Sequence, residues 1–193
     1  MNEHSAVPLG QVGPAAHTGR KRYAMRPRRQ QRTIVIDIRV DSPLWNKQRN
    51  AKAVLRRAIS EASSAVALSR AEVSVVLADD AAIRGLNCTW RHRDEPTNVL
   101  SFPAHPATDD RAGSRVLGDI VLAYQTLTRE ASDLHKTFAQ HLAHLTVHGF
   151  LHLVGYDHET DAEATAMESL ETMILARLDV PDPYCLRDGS PYV

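Results

Sequence analysis

The sequence predicts an α+β fold: a single domain with a small four-stranded sheet packed against several helices. Two observations predict this. Strand-like segments rich in β-branched residues lie in the first two thirds of the chain, and helical patterns follow one another through the last third. In addition, 43% of the 193 residues are hydrophobic and 24% are charged, which is typical of a globular domain. We expect this domain to span residues 33–180.

The four strands are expected where apolar and β-branched residues run together. Pro103 marks the end of the third strand, because proline cannot donate a hydrogen bond to a neighbouring strand. The predicted strands have the sequences TIVIDIRV (33–40), EVSVVLA (72–78), NVLSF (98–102) and LGDIVLAY (117–124).

The helices are expected from capping residues and from apolar periodicity. Ser42 and Pro43 are typical of an N-cap and a first helical residue, and they predict a helix of about 20 residues. Asp79 caps a short helix that should end near residue 86. Further helices are predicted at about 124–136, 137–154 and 160–178, the last with Met167 and Met173 in the core.

The two ends of the chain lack periodic apolar patterns. Residues 1–32 include the strongly cationic stretch RKRYAMRPRRQQR, and we expect them to form a disordered, basic extension. Residues 181–193 are expected to form a C-terminal tail. The formal net charge of the chain is zero, so overall charge alone does not predict a nucleic-acid partner.

The cysteine and hydropathy patterns indicate a cytoplasmic protein. Cys88 and Cys185 lie far apart and form no CxxC motif, so they predict neither a disulfide framework nor a thiolate metal site. A reducing compartment fits this usage. We find no secretion signal and no apolar run of membrane-spanning length, so we expect no membrane partner. The oligomeric state is not predicted.

The segment HGFLHLVGYDH (148–158) predicts a metal site at the end of a central helix. His148 and His152 are four residues apart, on one helical face, so both imidazoles can reach one ion. Gly155 can end the helix in a left-handed conformation and bring His158 back as a third ligand. Three imidazoles suit zinc and leave one coordination position open, which is the pattern of catalytic zinc sites.

The sequence also offers another ligand pair and two candidate carboxylates. The pair His144 and His148 has the same spacing, but no glycine and histidine follow it at matching offsets, so His144 is expected beside the site or on the surface. Asp119 and Asp157 are candidate carboxylates that could orient a histidine, although each is also an ordinary turn residue.

The histidine spacing is also that of the metzincin proteases, which read HExxHxxGxxH. Their glutamate is the general base, and Gly149 stands at that position here. Loss of the carboxylate argues against peptide hydrolysis but leaves the ligands intact. We expect Gly149 instead to allow close packing of its helix on a neighbour.

A second segment, LNCTWRHRDEPTNVLSFP (86–103), places Arg91, His92 and Arg93 before a strand. Arginine makes planar, bidentate contacts with phosphate groups. From the residues alone, the cations form either a solvated turn or a phosphate-binding site.

Together these two segments resemble the YbeY family of bacterial endoribonucleases and rRNA maturation factors. Residues 148–158 match the family motif HGxLHLxGYDH, residues 86–103 resemble LNxxYRxxDxPTDVLSFP, and LGDI (117–120) is a third similar piece. The sequence departs from the pattern at Trp90, where Tyr or Phe is usual, and at Asn98, where Asp is common. The resemblance covers about residues 33–180.

The resemblance implies cleavage of single-stranded RNA, with roles in 16S rRNA 3′-end maturation and ribosome quality control. It places the family's zinc ligands on His148, His152 and His158, and its functional arginine on Arg91. Partners would be single-stranded RNA, 16S rRNA with its precursor, and the ribosome.

Two other functions remain open from the sequence. One is a metal-dependent hydrolase of another substrate. The other is a non-catalytic ribosome-binding factor whose zinc is structural, with His105 or His135 as a fourth ligand.

Overall fold

The structure is a computed structural model that describes residues 33–104 and 115–185. The predicted N-terminal extension, 1–32, lies outside the described residues, as do 105–114 and 186–193. The strands are β1 (Thr33–Val40), β2 (Arg70–Ala78), β3 (Val99–Pro103) and β4 (Arg115–Ala123). The helices are α1 (Ala51–Ala65), α2 (Asp80–Arg91), α3 (Tyr124–Asp133), α4 (Phe138–Leu153) and α5 (Asp161–Arg177), with a 3-10 turn at Pro43–Lys47.

The four strands form one mixed sheet in the order β1-β2-β4-β3. Strands β1 and β2 pair in parallel, as do β2 and β4, whereas β3 pairs with β4 in the antiparallel direction. The predicted α+β class with a four-stranded sheet is confirmed.

Helices cover both faces of the sheet. On one face, α1 and α4 pack against alternate apolar residues of β2 and β4, among them Val73, Val75 and Ile120. On the other face, Ile83 of α2 packs against Leu100 and Val121. Helix α4 also contacts α3 and α5, so it lies at the centre of the helical layer. Its central position explains why ten of its sixteen residues are buried.

The prediction of one continuous helix of about 20 residues after Ser42 is wrong. The chain first makes the 3-10 turn, capped by the Ser42 hydroxyl, and α1 begins only at Ala51. The reason is Trp45, which is 3% exposed and donates its indole N–H to the carbonyl of Ala78 at 2.8 Å. Burying this large side chain at the end of β2 sets the path of the backbone before the helix.

Helix α5 corrects one core prediction. Met167 is buried as expected, but Met173 is 41% exposed. Met167 and Met173 are six positions apart, and residues at that spacing do not lie on the same face of an α-helix.

None of the helices in residues 33–104 and 115–185 combines the length and the apolar character needed to cross a membrane.

At Gly149, α4 packs tightly against the sheet. A Cβ atom at this position would lie 3.0 Å from Ser101 Oγ and 3.2 Å from Ile120 Cγ2. The expected close packing at Gly149 is therefore confirmed. In the interior of α2, by contrast, a Cβ at Gly85 would meet nothing within 4 Å.

This contrast predicts opposite effects of one substitution at two helical positions. Gly85→Ala should raise the free energy of unfolding by about 0.5–1 kcal/mol, because alanine favours the helix and the space is open. Gly149→Ala should lower it by about 1 kcal/mol or more, because overpacking outweighs the helical gain. Urea denaturation of both variants tests this, and equal stabilisation by the two would contradict it.

Candidate metal centre

Helix α4 presents His148 and His152 side by side in its last turns. The helix begins with a capping box, in which Thr137 and Gln140 bond reciprocally to each other's backbone N–H groups. Because the two histidines are four residues apart, their rings project from the same face. Their Nε2 atoms lie 3.2 Å apart.

The third histidine is brought in by the end of the helix. Gly155 has φ +97°, the N–H of Gly155 donates to the carbonyl of His152, and the N–H of Tyr156 donates to that of Leu151. This pair of bonds is a Schellman motif, which reverses the chain. His158 then stacks on His148 with ring centroids 5.6 Å apart. Gly155 therefore ends the helix as predicted.

The three imidazoles could hold one metal ion. One ring nitrogen from each of His148, His152 and His158 lies within 4.8 Å of the others. Two imidazole ligands of a tetrahedral zinc ion, each about 2.05 Å from the metal, are about 3.3 Å apart. The 3.2 Å between His148 and His152 is close to that value.

The surroundings of His152 favour its neutral ring, which is the form that binds metal. Burial lowers the pKa of His152, and the neighbouring His148 and His158 lower it further. Within residues 33–104 and 115–185, the group has no fourth ligand-type side chain. His135 is exposed at the end of α3 and does not line the cleft, and His105 lies outside the described residues.

A buried carboxylate orients the ring of His148. Glu171 of α5 is fully buried, and its Oε1 accepts a hydrogen bond from His148 Nδ1 at 2.8 Å. Its Oε2 accepts bonds from His144 Nε2 at 3.1 Å and from the hydroxyl of Tyr184 at 2.6 Å. With Nδ1 donating to Glu171, the lone pair of His148 lies on Nε2, which faces His152.

Glu171 was not found by sequence reasoning, although a signal was present. It lies four residues after Met167 and three before Ile174, both buried. A charged residue on such an apolar helical face is normally buried only when it has partners.

The other candidate residues have varied positions. His144 lies beside the site, as predicted, and reaches it through Glu171. Asp157 has an oxygen 3.8 Å from His152 Nδ1, too long for a direct hydrogen bond, and it accepts instead from the N–H of His158. Asp119 is exposed on β4 and does not line the cleft.

The two departures from the family pattern lie beside the cleft or in its wall. Trp90 is 63% exposed and packs edge-on against Phe102. Asn98 lines the cleft and donates to Glu130, which also binds the buried ring of His141. An aspartate at position 98 would set two carboxylates against each other, which explains why an amide suits this chain.

The histidines open into a cleft of about 960 Å³ whose far wall carries Arg91. The predicted end of α2 near residue 86 is wrong, because the helix continues to Arg91. His92 then ends it in a left-handed conformation, and Asn87 anchors the following loop by donating to the carbonyl of Glu95. Arg91 is therefore held at a helix end rather than in a free turn.

Ser101 connects Arg91 to the histidine helix. Its carbonyl accepts a long hydrogen bond, 3.4 Å, from the Arg91 guanidinium, and its hydroxyl donates to the carbonyl of Gly149 at 3.1 Å. Gly149 directly follows His148. The absence of a side chain at Gly149 thus lets β3 link the two walls of the cleft.

The hydrogen bonds to Glu171 predict a pH-dependent contribution to stability. Burial alone would raise the pKa of this carboxyl, but the bonds from His144, His148 and Tyr184 outweigh it and hold the pKa at about 2, below its ordinary value of 4.5. The ionised group thus contributes stability that is fully present above pH 4.5 and is lost as the pH falls towards 2. The shift corresponds to about 3 kcal/mol.

We therefore expect Glu171→Gln to lower the free energy of unfolding of the metal-free protein by about 3 kcal/mol at pH values above 4.5. The difference in free energy of unfolding between the variant and the wild type should become smaller as the pH falls. Urea denaturation across a pH series measures it, with Glu168→Gln, an exposed carboxylate on the same helix, as control. A stability difference that did not vary with pH would show that the ionised Glu171 carboxylate is not the source of this contribution.

Comparisons with known proteins identify the family of this chain. The family model described as Endoribonuclease YbeY matches residues 39–179. An Endoribonuclease YbeY from Nitrobacter winogradskyi is 55% identical over 79% of this chain and 83% of its own length. An Endoribonuclease YbeY from Bradyrhizobium sp. is 53% identical over 79% of this chain and 93% of its own length. A solution structure from Thermotoga maritima aligns with 81% of this chain and all of its own, at 23% identity and a TM-score of 0.46. On the sequence matches, the chain belongs to the YbeY endoribonuclease family.

Proposed function

We propose that this protein is a zinc-dependent endoribonuclease that cleaves single-stranded RNA. The observation that carries the proposal is the position of three convergent histidines and an arginine in one cleft. The names of its relatives supply the reaction class, and the cleft supplies groups suited to it.

His148, His152 and His158 would hold the ion, one zinc per chain. Imidazole nitrogens suit zinc, and no carboxylate or thiolate belongs to the group among the described residues. When bound, such an ion supplies Lewis-acid chemistry at a phosphodiester. His148 is positioned for this by Glu171, which fixes its tautomer and ring orientation.

Arg91 would bind the phosphate group that reacts. Its guanidinium is exposed to the cleft, its long contact with the Ser101 carbonyl leaves donors free, and it forms no ion pair with any residue that the structure describes. A planar guanidinium can stabilise the negative charge that develops on phosphate oxygens during cleavage.

The size of the cleft and its cations support a single-stranded RNA substrate. A volume of about 960 Å³ open to solvent admits a nucleotide with its neighbours, and Arg93 adds a second cation to its wall. Single strands can present splayed phosphates and bases to such a cleft, which a duplex does not. We propose that the biological substrates are the 3′ end of 16S rRNA and its precursor, on the ribosome, in the cytoplasm.

Two observations disfavour the alternatives. Gly149 occupies the position of the protease general base, so the helix has no carboxylate there, and its backbone packs closely against Ser101 and Ile120 instead. A structural zinc normally has four protein ligands, and the described residues offer three.

The zinc assignment predicts the behaviour of one variant. His152→Ala should lose bound zinc, because two imidazoles hold the ion far less tightly than three. Elemental analysis of protein purified without a metal resin measures the content, and His135→Ala, which removes an exposed histidine elsewhere, is the control. Unchanged zinc in His152→Ala would exclude this residue as a ligand.

The role of Arg91 predicts a separation of catalysis from metal binding. Arg91→Ala should keep its zinc and its melting temperature, yet cleave single-stranded RNA about a hundredfold more slowly, as is typical when one transition-state contact is removed. Arg91→Lys should recover only part of the rate, because lysine lacks the bidentate fork.

Single-turnover cleavage of a defined RNA, with and without chelator, measures this effect. A double-stranded RNA of the same sequence should resist cleavage. Arg56→Ala on α1 removes an exposed arginine outside the cleft and should cleave at the wild-type rate. Wild-type cleavage by Arg91→Ala would remove this residue from the mechanism, and loss of both zinc and stability would make its role structural.

A further inference from the structure

Tyr184 lies beyond the part of the chain that the family model matches, which ends at residue 179. The described chain after α5 nevertheless folds back onto that helix. Asp182 accepts hydrogen bonds from the hydroxyl of Thr172 at 3.1 Å and from the N–H of Tyr184 at 2.9 Å. These bonds place the side chain of Tyr184 against α4 and α5.

The hydroxyl of Tyr184 reaches a group that has no contact with water. It donates to Glu171 Oε2 at 2.6 Å, the shortest of the three hydrogen bonds that this carboxylate receives. The tyrosine ring also stands edge-on to His144, with centroids 5.9 Å apart. Ring and hydroxyl thus both close the side of the site that faces away from the cleft.

The other oxygen of the same carboxylate holds His148 at 2.8 Å. A hydrogen-bonded sequence therefore runs from Tyr184 through Glu171 to the Nδ1 atom of His148, whose Nε2 faces His152. A carboxylate with both oxygens bonded is fixed in rotation, so the ring that it holds is fixed as well.

We propose that Tyr184 is a positioning residue of the metal centre, whose hydroxyl fixes Glu171 and, through it, the ring of His148. The inference rests on the proposed function, because it assumes that His148 is a ligand. It makes the segment after α5 a part of the centre, although this segment lies outside the matched family region.

The test compares the zinc affinity of the full-length wild type and Tyr184→Phe, measured by competition with a chromophoric chelator at neutral pH. Removing a residue that orients a ligand histidine typically weakens metal binding about 10- to 100-fold. Tyr184 acts on His148 only through Glu171, so we expect a loss of zinc affinity at the lower end of this range, about tenfold. The absorption bands of the cobalt-substituted protein should also shift, because they report ligand geometry.

Two further variants make the result specific. Tyr124→Phe removes a tyrosine hydroxyl from the core, away from the cleft, and should bind zinc like the wild type. Asp182→Ala loosens the segment while keeping the Tyr184 hydroxyl, so it should weaken zinc binding by less than Tyr184→Phe does. It also tests the proposal if Tyr184→Phe folds poorly.

The outcomes are distinguishable. Wild-type zinc affinity and an unchanged cobalt spectrum in Tyr184→Phe would overturn the proposal, even if the metal-free variant melted at a lower temperature, because the role would then be structural. If the wild type bound no more zinc than His152→Ala, the proposed zinc site would be wrong, and the proposed role of Tyr184 would be wrong with it.

Discussion

The arrangement of the site depends on one buried carboxylate. Glu171 has no contact with water, and an ionised group in that position is tolerated only when hydrogen bonds replace its hydration. Its three donors come from α4 and from the segment after α5. Satisfying this single group therefore joins two helices and the following segment, and it sets the direction in which His148 faces.

A second constraint positions the opposite wall. Helix α4 packs tightly on the sheet at Gly149, where an added Cβ would lie 3.0 Å from Ser101 Oγ, and the Ser101 hydroxyl bonds to the helix there. Because the Ser101 carbonyl also accepts from Arg91, strand β3 sets the separation between the arginine and the histidines. The same glycine removes the carboxylate that a protease would need at this position, so packing and reaction class are linked.

Local chemistry explains which parts of the molecule could be predicted from the sequence. The approach of His148 to His152 and the reversal at Gly155 follow from helical spacing and backbone conformation, and the structure has both. Ser101 and Tyr184 reach the site only through long-range packing, which local periodicity cannot predict. The helical pattern does mark Glu171 as a charged residue on an apolar face, but it does not identify the partners that Glu171 meets there. The break before α1 had the same cause, since the burial of Trp45 against β2 overrode a good helical start.

The three histidines lie within one short stretch of chain, residues 148–158. Closing so short a loop has a small entropic cost, so an unfolded chain can still gather these imidazoles around an ion. Binding to the unfolded state subtracts from the stabilisation that a ligand gives to the folded one. The apolar core, moreover, forms between the sheet and the helices without any of the three histidines. On the proposed metal dependence, the supply of the ion would therefore govern the activity of the protein far more than its cellular amount. A cell short of the ion would retain a folded protein that regains activity when the ion returns.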